Sequence, residues 1–226
     1  MHIQFIENIK QKLGDYVFKR DLEHNDRKRE VHNLHTAKSI GILYDATDLK
    51  DMMLVSEFAN ELFKTKKDVK ALGFVNRNEL THHHMPMLQF DFFFLKDLNW
   101  YYKPQNYIIK NFLEKDYDIL INLCTSNCVP VKYLAGASKA KFKVGKYEQD
   151  LSIYDMMIDV KKDALSVLIS EVKHYLNLII ASSFITNKFL SKINGLDIFS
   201  LSTLRIDIVF PDKISTTINL PLSVDK

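Results

Sequence analysis

The chain has few of the residues that punctuate a backbone, with six glycines and five prolines among 226 residues. Collagen-like, proline-rich and low-complexity architectures need these residues in quantity, so they are excluded. Cysteine is equally scarce. Cys124 and Cys128 are the only two, which rules out a disulfide-stapled secreted scaffold and suits free thiols in a reducing compartment. No apolar run approaches the roughly 18 residues of a membrane span. Residues 1–13 also lack the ordered charged, apolar and small-residue regions of a secretory signal, being interrupted by Gln4, Glu7 and Asn8.

An excess of one charge is missing too. Lys plus Arg number 31 against 28 Asp plus Glu, a net +3, and the signs are interspersed. A phosphate-tracking surface shows as a dense basic stripe, so no nucleic-acid partner is expected. The densest basic cluster, Arg27-Lys28-Arg29, has Asp26 and Glu30 beside it and is expected to be a solvated mixed-charge face. Phosphate-binding motifs are absent: neither G-x-G-x-x-G nor G-x-x-x-x-G-K-[ST] occurs. No cofactor is expected, and the chain is expected to be cytoplasmic.

What is present is an ordinary globular mixture, 46% hydrophobic and 26% charged, long enough for one sizeable domain with appendages. Residues 116–147 organise it. Ile119 to Leu123 is a short apolar run ending in small polar residues, as in a buried parallel strand. Helical spacing follows over residues 129–137, and a second strand-like run over residues 141–145. Such a β-α-β unit must be flanked by further strands and covered by helices.

Those strands and helices can be placed. Residues 39–45 form a compact strand ending in Asp45, with Asp48 as helix N-cap and Leu49, Met53, Phe58, Leu62 and Phe63 as one helix face. Residues 69–75 form the next strand and 90–95 an aromatic third. A helix carrying Tyr107, Ile108, Phe112 and Leu113 leads into the fourth. Met156 to Ile158 is a sixth strand candidate, and a helix over residues 161–180, capped by Ser152 or Asp163, closes the domain. The fold class is α/β: a Rossmann-like three-layer sandwich with a mostly parallel sheet of five or six strands in an order near 3-2-1-4-5. Residues 1–38 supply an N-terminal helical arm, broken near Gly14, and a charged linker with solvated histidines at 24, 32 and 35. Residues 39–180 are the α/β domain. Residues 181–226 are an extension in which Leu204, Ile206, Ile208 and Phe210 alternate as in a strand.

In open α/β sheets, ligands sit beyond the carboxyl ends of the strands, where the strand order reverses. The candidate rim there is Asp45, Thr47, Asn76, Asn122, Cys124 and Ser126, with Thr125 and Asn127 adjacent. The loop holding Trp100, Tyr101 and Tyr102 either stacks on a ligand or plugs the sheet edge, and plugging is the expectation. No catalytic residue is assigned. Asp48, beside Asp45 and Asp51, is explained by capping and by the helix dipole. No metal site is assigned, because His82, His83 and His84 are adjacent and cannot all face one ion from regular structure. No histidine lies close in sequence to activate Cys124 or Cys128.

Two resemblances follow from particular residues. Lys96-Asp97-Leu98-Asn99-Trp100, Tyr117 to Leu123, Lys132-Tyr133-Leu134-Ala135, Ser138 to Gly145 and Tyr154 to Ile158 resemble an uncharacterised family of small bacterial α/β proteins, over about residues 37–180. That resemblance implies no activity. Residues 117–123, Leu134 to Ala137 and Lys143 to Gly145 are similar to the N-terminal Rossmann-like half of heptosyltransferase-type glycosyltransferases. A second domain for the sugar nucleotide would then be needed, and none fits here. The leading expectation is a non-catalytic domain acting through a protein partner or self-association. The alternative is a degenerate glycosyltransferase-like or small-ligand domain using the strand ends.

Overall fold

The run Ser-Ile-Gly-Ile-Leu-Tyr-Asp over Ser39–Asp45 (β1) carries no charge before its last residue, so it is stable only when covered on both faces. Five consecutive residues of β1 are buried. A computed structural model describes residues 2–23, 25–78, 84–148, 153–160, 164–190, 203–209 and 215–221. Around β1 lie Asp68–Val75 (β2), Phe90–Phe94 (β3), Ile119–Asn122 (β4), Phe142–Lys146 (β5) and Met156–Ile158 (β6). Their order is β3-β2-β1-β4-β5-β6, and every pairing is parallel. The expected order is met, and the third strand is parallel. The extension holds two strands rather than one: Thr203–Val209 (β7) pairs with Ser215–Pro221 (β8), and β8 joins β6 antiparallel. Phe210, Ser152, Asp163 and His24 lie outside the described residues.

Helices cover both faces. On one side Leu49–Lys64 (α2) and Leu165–Leu190 (α5) pack Val55, Phe58, Leu168, Val172 and Leu176 onto Ile40 and Ile42. Full burial of each such side chain contributes about 1.5–3 kcal/mol. On the other side Tyr107–Glu114 (α3) and Val129–Ala137 (α4) pack Ile109, Phe112, Val131 and Leu134 onto Leu43, Leu72 and Phe93. The face expected of α2 needs correction. Asp48 caps it as expected, accepting from the Lys50 N–H at 2.8 Å. The buried stripe, however, is Val55, Phe58, Ala59 and Leu62, spaced i, i+3, i+4, i+7. Leu49 and Met53 lie well round the helix from that stripe and Phe63 at its margin, and all three are exposed.

The N-terminal helix His2–Glu23 (α1) is continuous through Gly14, where a break was expected. A Cβ at Gly14 would stand 2.8 Å from the Tyr101 carbonyl oxygen, so packing against the 99–103 loop explains the residue. In the charged linker Asp26, Lys28, Arg29 and Glu30 are exposed as expected, but Asn25 and Arg27 are anchored rather than solvated. Asn25 Nδ2 donates to the carbonyls of Gly136 (2.6 Å) and Ser138 (3.0 Å). Arg27 donates to the carbonyls of Ala140 and Lys141 and pairs with Asp155 at 2.7 Å, with both side chains almost wholly buried. A buried guanidinium needs such a full set of acceptors. His32 is also inside: neither ring nitrogen has a hydrogen-bond partner, and Glu30 and Asp118 stand 3.7 and 3.8 Å away. His35 is exposed, as expected.

Asp155 links this linker to the sheet by accepting also from the Lys143 backbone N–H at 2.8 Å. The Lys143 side chain, 2% exposed, ends with Nζ donating to the Gly136 carbonyl at 3.0 Å. Burial of the ammonium, with Arg27 adding repulsion, holds the Lys143 amine down at about 7.

Candidate functional site: a cleft where the strand order reverses

Consecutive crossovers from β1 run towards β2 on one side, and the chain returns to place β4 on the other. Between the loops that leave β1 and β4, a parallel sheet leaves a crevice. Here the crevice is an open cleft of about 380 Å³. Asp45 closes β1, Asn76 follows β2, and Ser126, Asn127 and Cys128 form the turn from β4 into α4; all of them line it. Tyr101 and Tyr102 wall it from the aromatic loop, Leu95, Leu98 and Phe74 supply apolar floor, and Gly14 brings α1 to its edge.

Local hydrogen bonds set these positions. Asp45 Oδ1 accepts from the Thr47 N–H at 2.9 Å, and Thr47 Oγ1 accepts from the Asn76 N–H at 2.9 Å. The β1 turn is thereby tied to the end of β2. The turn after β4 is held from outside: Lys146 Nζ donates to the Thr125 carbonyl at 2.8 Å and Lys132 Nζ to Asn127 Oδ1 at 2.7 Å. The aromatic loop is wound round Asn99, whose Oδ1 accepts from the Tyr101 and Lys103 N–H groups. Asp21 of α1 accepts from Lys103 at 2.8 Å and from the Tyr133 hydroxyl. Those contacts hold the aromatic loop beside α1 and α4. It stands over the strand ends, with Trp100 58% exposed and edge-on to Tyr101. Tyr102 has φ 67°, a left-handed conformation costing a residue with a Cβ about 1–2 kcal/mol.

The rim residues divide. Asp45, Asn76 and Ser126 meet in the cleft with Tyr101 and Tyr102. Thr47 lines a neighbouring space of about 440 Å³ with Asp45, Asp48, Asp51, Arg77 and His84. Asn122 sits behind, buried, donating to the Tyr154 hydroxyl at 2.6 Å and accepting from the Cys124 N–H at 3.0 Å. Cys124 is buried there as well. Its thiol is raised well above the ordinary value, first by its hydrogen bond with Cys128 and then by burial, which leaves it an unreactive thiol. Both cysteines are free. Sequence reasoning placed Asn127 beside the rim but missed Cys128 as lining, along with Gly14 and the apolar floor. Gly14 carried no signal, because α1 and the aromatic loop are far apart in sequence.

In the neighbouring space Asp51 is raised by burial and by the charges of Asp48 and Asp45. His84, expected in a polar loop, is buried instead, with Nε2 2.8 Å from the Ala46 carbonyl and edge-on to Phe92. His82 and His83 lie outside the described residues. Among the described residues no group of three or more His, Cys, Asp or Glu side chains is placed to hold a metal ion, and no helix is long and apolar enough to cross a membrane.

No curated protein and no solved structure matches the chain. The likeness to glycosyltransferases thus stays a local pattern of residues 117–145. The match to an uncharacterised family is real and wider than expected, since it takes in most of α1. The profile of the family of unknown function DUF6913 covers residues 10–179, and the chain belongs to that family.

Proposed function

We propose that the protein is a small-ligand-binding α/β domain whose site is the cleft between the β1 and β4 loops. One observation carries this reading: residues from five separate segments, β1, β2, the aromatic loop, the β4–α4 turn and α1, converge on one open cleft at the reversal of strand order. Ligand sites in sheets of this kind lie at that position, with apolar walls and a few convergent polar groups. On this reading residues 39–180 are the binding domain, residues 1–38 brace its aromatic loop, and strands β7 and β8 of the extension add to its sheet. A cytoplasmic setting suits its two free thiols.

The test is a thermal-shift screen of the full chain against small molecules of each charge class, with sugar nucleotides among them. A ligand at 100 times its dissociation constant adds about 2.7 kcal/mol of stability. Hits are expected to lose that shift in Tyr101→Ala and Ser126→Phe, which respectively remove one wall and fill the cleft. Hits that survive both substitutions would place the binding elsewhere. A second reading, docking of a protein partner, is supported by Met85, Met87 and Leu88, exposed at 66%, 58% and 88% beside the edge strand β3. Light scattering that found only monomer, with no loss of a bound partner in Leu88→Asp, would remove it.

A further inference from the structure

We infer, building on the cleft reading above, that the ligand is a small organic cation: an ammonium carried on a compact apolar body, held by Asp45 and the tyrosine pair. The lining fixes the sign. Of the described residues around the cleft, Asp45 is the one with a charged side chain, and none of them is Lys or Arg. Asp45 Oδ1 is occupied by the Thr47 N–H, while no ion pair joins the carboxylate to a cation among the described residues. A half-buried carboxylate without a counter-ion is an unmet charge, and a bound cation is what meets it.

The surroundings add to that field. Asp48 and Asp51 stand on the far side of Asp45, and their mutual repulsion is felt at Asp51. Arg77 faces them across the second space, but it forms no ion pair with any of the three. Two contributions oppose it, the Arg77 guanidinium across the second space and the N-terminal end of α4 at Cys128, Val129 and Pro130. A helix end is equivalent to about half a positive charge, and Pro130 removes one of its N–H donors. The three carboxylates of Asp45, Asp48 and Asp51 together outweigh both.

The aromatic wall suits the same ligand. Tyrosine faces attract ammonium and quaternary ammonium groups, and Tyr101 and Tyr102 line the cleft opposite Asp45's strand end. Tyr102 is held there in a left-handed conformation, its N–H bonded to the Asn99 carbonyl at 3.0 Å. Phe74, Leu95, Leu98 and Val129 offer apolar contact for the body of the ligand. A phosphate or carboxylate in this cleft would meet Asp45 with no Lys or Arg among the described lining residues to neutralise it.

The experiment is calorimetric titration of the full chain with three near-isosteric probes: phenethylamine, phenethyl alcohol and phenylacetate. The amine is expected to bind at least tenfold more tightly than the alcohol, and phenylacetate not at all. Asp45→Asn keeps the acceptor for the Thr47 N–H and is expected to remove the amine's advantage while leaving the alcohol unchanged. Tyr101→Leu is expected to weaken the amine several-fold. The comparison among probes needs no variant, so it stands even if Asp45→Asn folds poorly. Equal binding of amine and alcohol, or tighter binding of phenylacetate, overturns the cation assignment. If anionic or neutral ligands bind and respond to Tyr101 and Ser126 substitutions, the cleft reading survives and only the ligand class falls. If no compound of any charge binds, both fall.

Discussion

Replacing Lys143 with Met should stabilise the protein below neutrality and flatten its response to pH. The Lys143 amine drops from 10.5 to about 7 on folding, because its ammonium is buried beside Arg27 with one carbonyl partner, Gly136. The unfolded chain therefore binds more protons than the native one between about pH 7 and 10.5, and stability rises with pH across that window. At about 1.4 kcal/mol per pH unit the ceiling on this effect is about 5 kcal/mol. A realistic figure is lower, about 2 kcal/mol, since water penetration and relaxation soften burial costs. Met matches the aliphatic stem and carries no charge. The lost hydrogen bond costs about 1 kcal/mol, and the Gly136 carbonyl still accepts from Asn25. Urea unfolding at pH 6, 7.5 and 9 measures the outcome. Lys143→Met is expected to be at least as stable as the parent at pH 6, and its dependence from pH 7 to 9 should be flatter. Destabilisation by more than about 2 kcal/mol at pH 6 would refute the reasoning and make the lysine a needed partner of Asp155.

Three further perturbations follow from the same packing. Tyr44 and Tyr117 carry buried hydroxyls without a hydrogen-bond partner, so Tyr44→Phe and Tyr117→Phe should be neutral or stabilising by about 1 kcal/mol in chemical denaturation. At Gly73 a Cβ would stand 2.7 Å from Ala46 Cβ and 2.9 Å from Tyr44 Cζ; Gly73→Ala in this central strand should cost about 1–3 kcal/mol and lower the Tm. Asp118 accepts from the Lys38 and Ser39 N–H groups and from Lys141 Nζ, which hold its carboxyl down at about 2. Its folded value lies below the ordinary 3.8, so its stabilisation is complete above about pH 4 and is lost as pH falls towards 2. Asp118→Ala should remove about 1–3 kcal/mol at neutral pH, as read by urea titration.

How far the fold was legible depended on whether a local pattern could carry it. The parallel strands were visible because β1, β2 and β4 are apolar runs closed by Asp45, Asn76 and Asn122, a signature of burial on both faces. Helix faces were less so. In α2 the apolar residues are spread widely enough that Met53 and Phe63 fit the pattern as well as Val55 and Ala59 did, and only packing against the sheet and α5 separates them. The linker was misjudged because Arg27 and Asn25 look solvated in isolation, whereas their acceptors lie more than a hundred residues later. The candidate rim was placed from topology alone, and sequence could not say that Asn122 and Cys124 are buried. The position of the aromatic loop was hidden for the same reason, since Asp21 of α1 anchors it through Lys103.

The most direct test of the cleft is amide chemical-shift mapping on isotope-labelled protein titrated with phenethylamine. The account predicts that the perturbed amides cluster at Asn76, Tyr101, Tyr102, Ser126 and Asn127, and that the pattern disappears in Asp45→Asn. Saturable shifts confined to the β3 edge around residues 85–91, or to the α2–α5 groove at Glu57, Glu61 and Lys173, would contradict it.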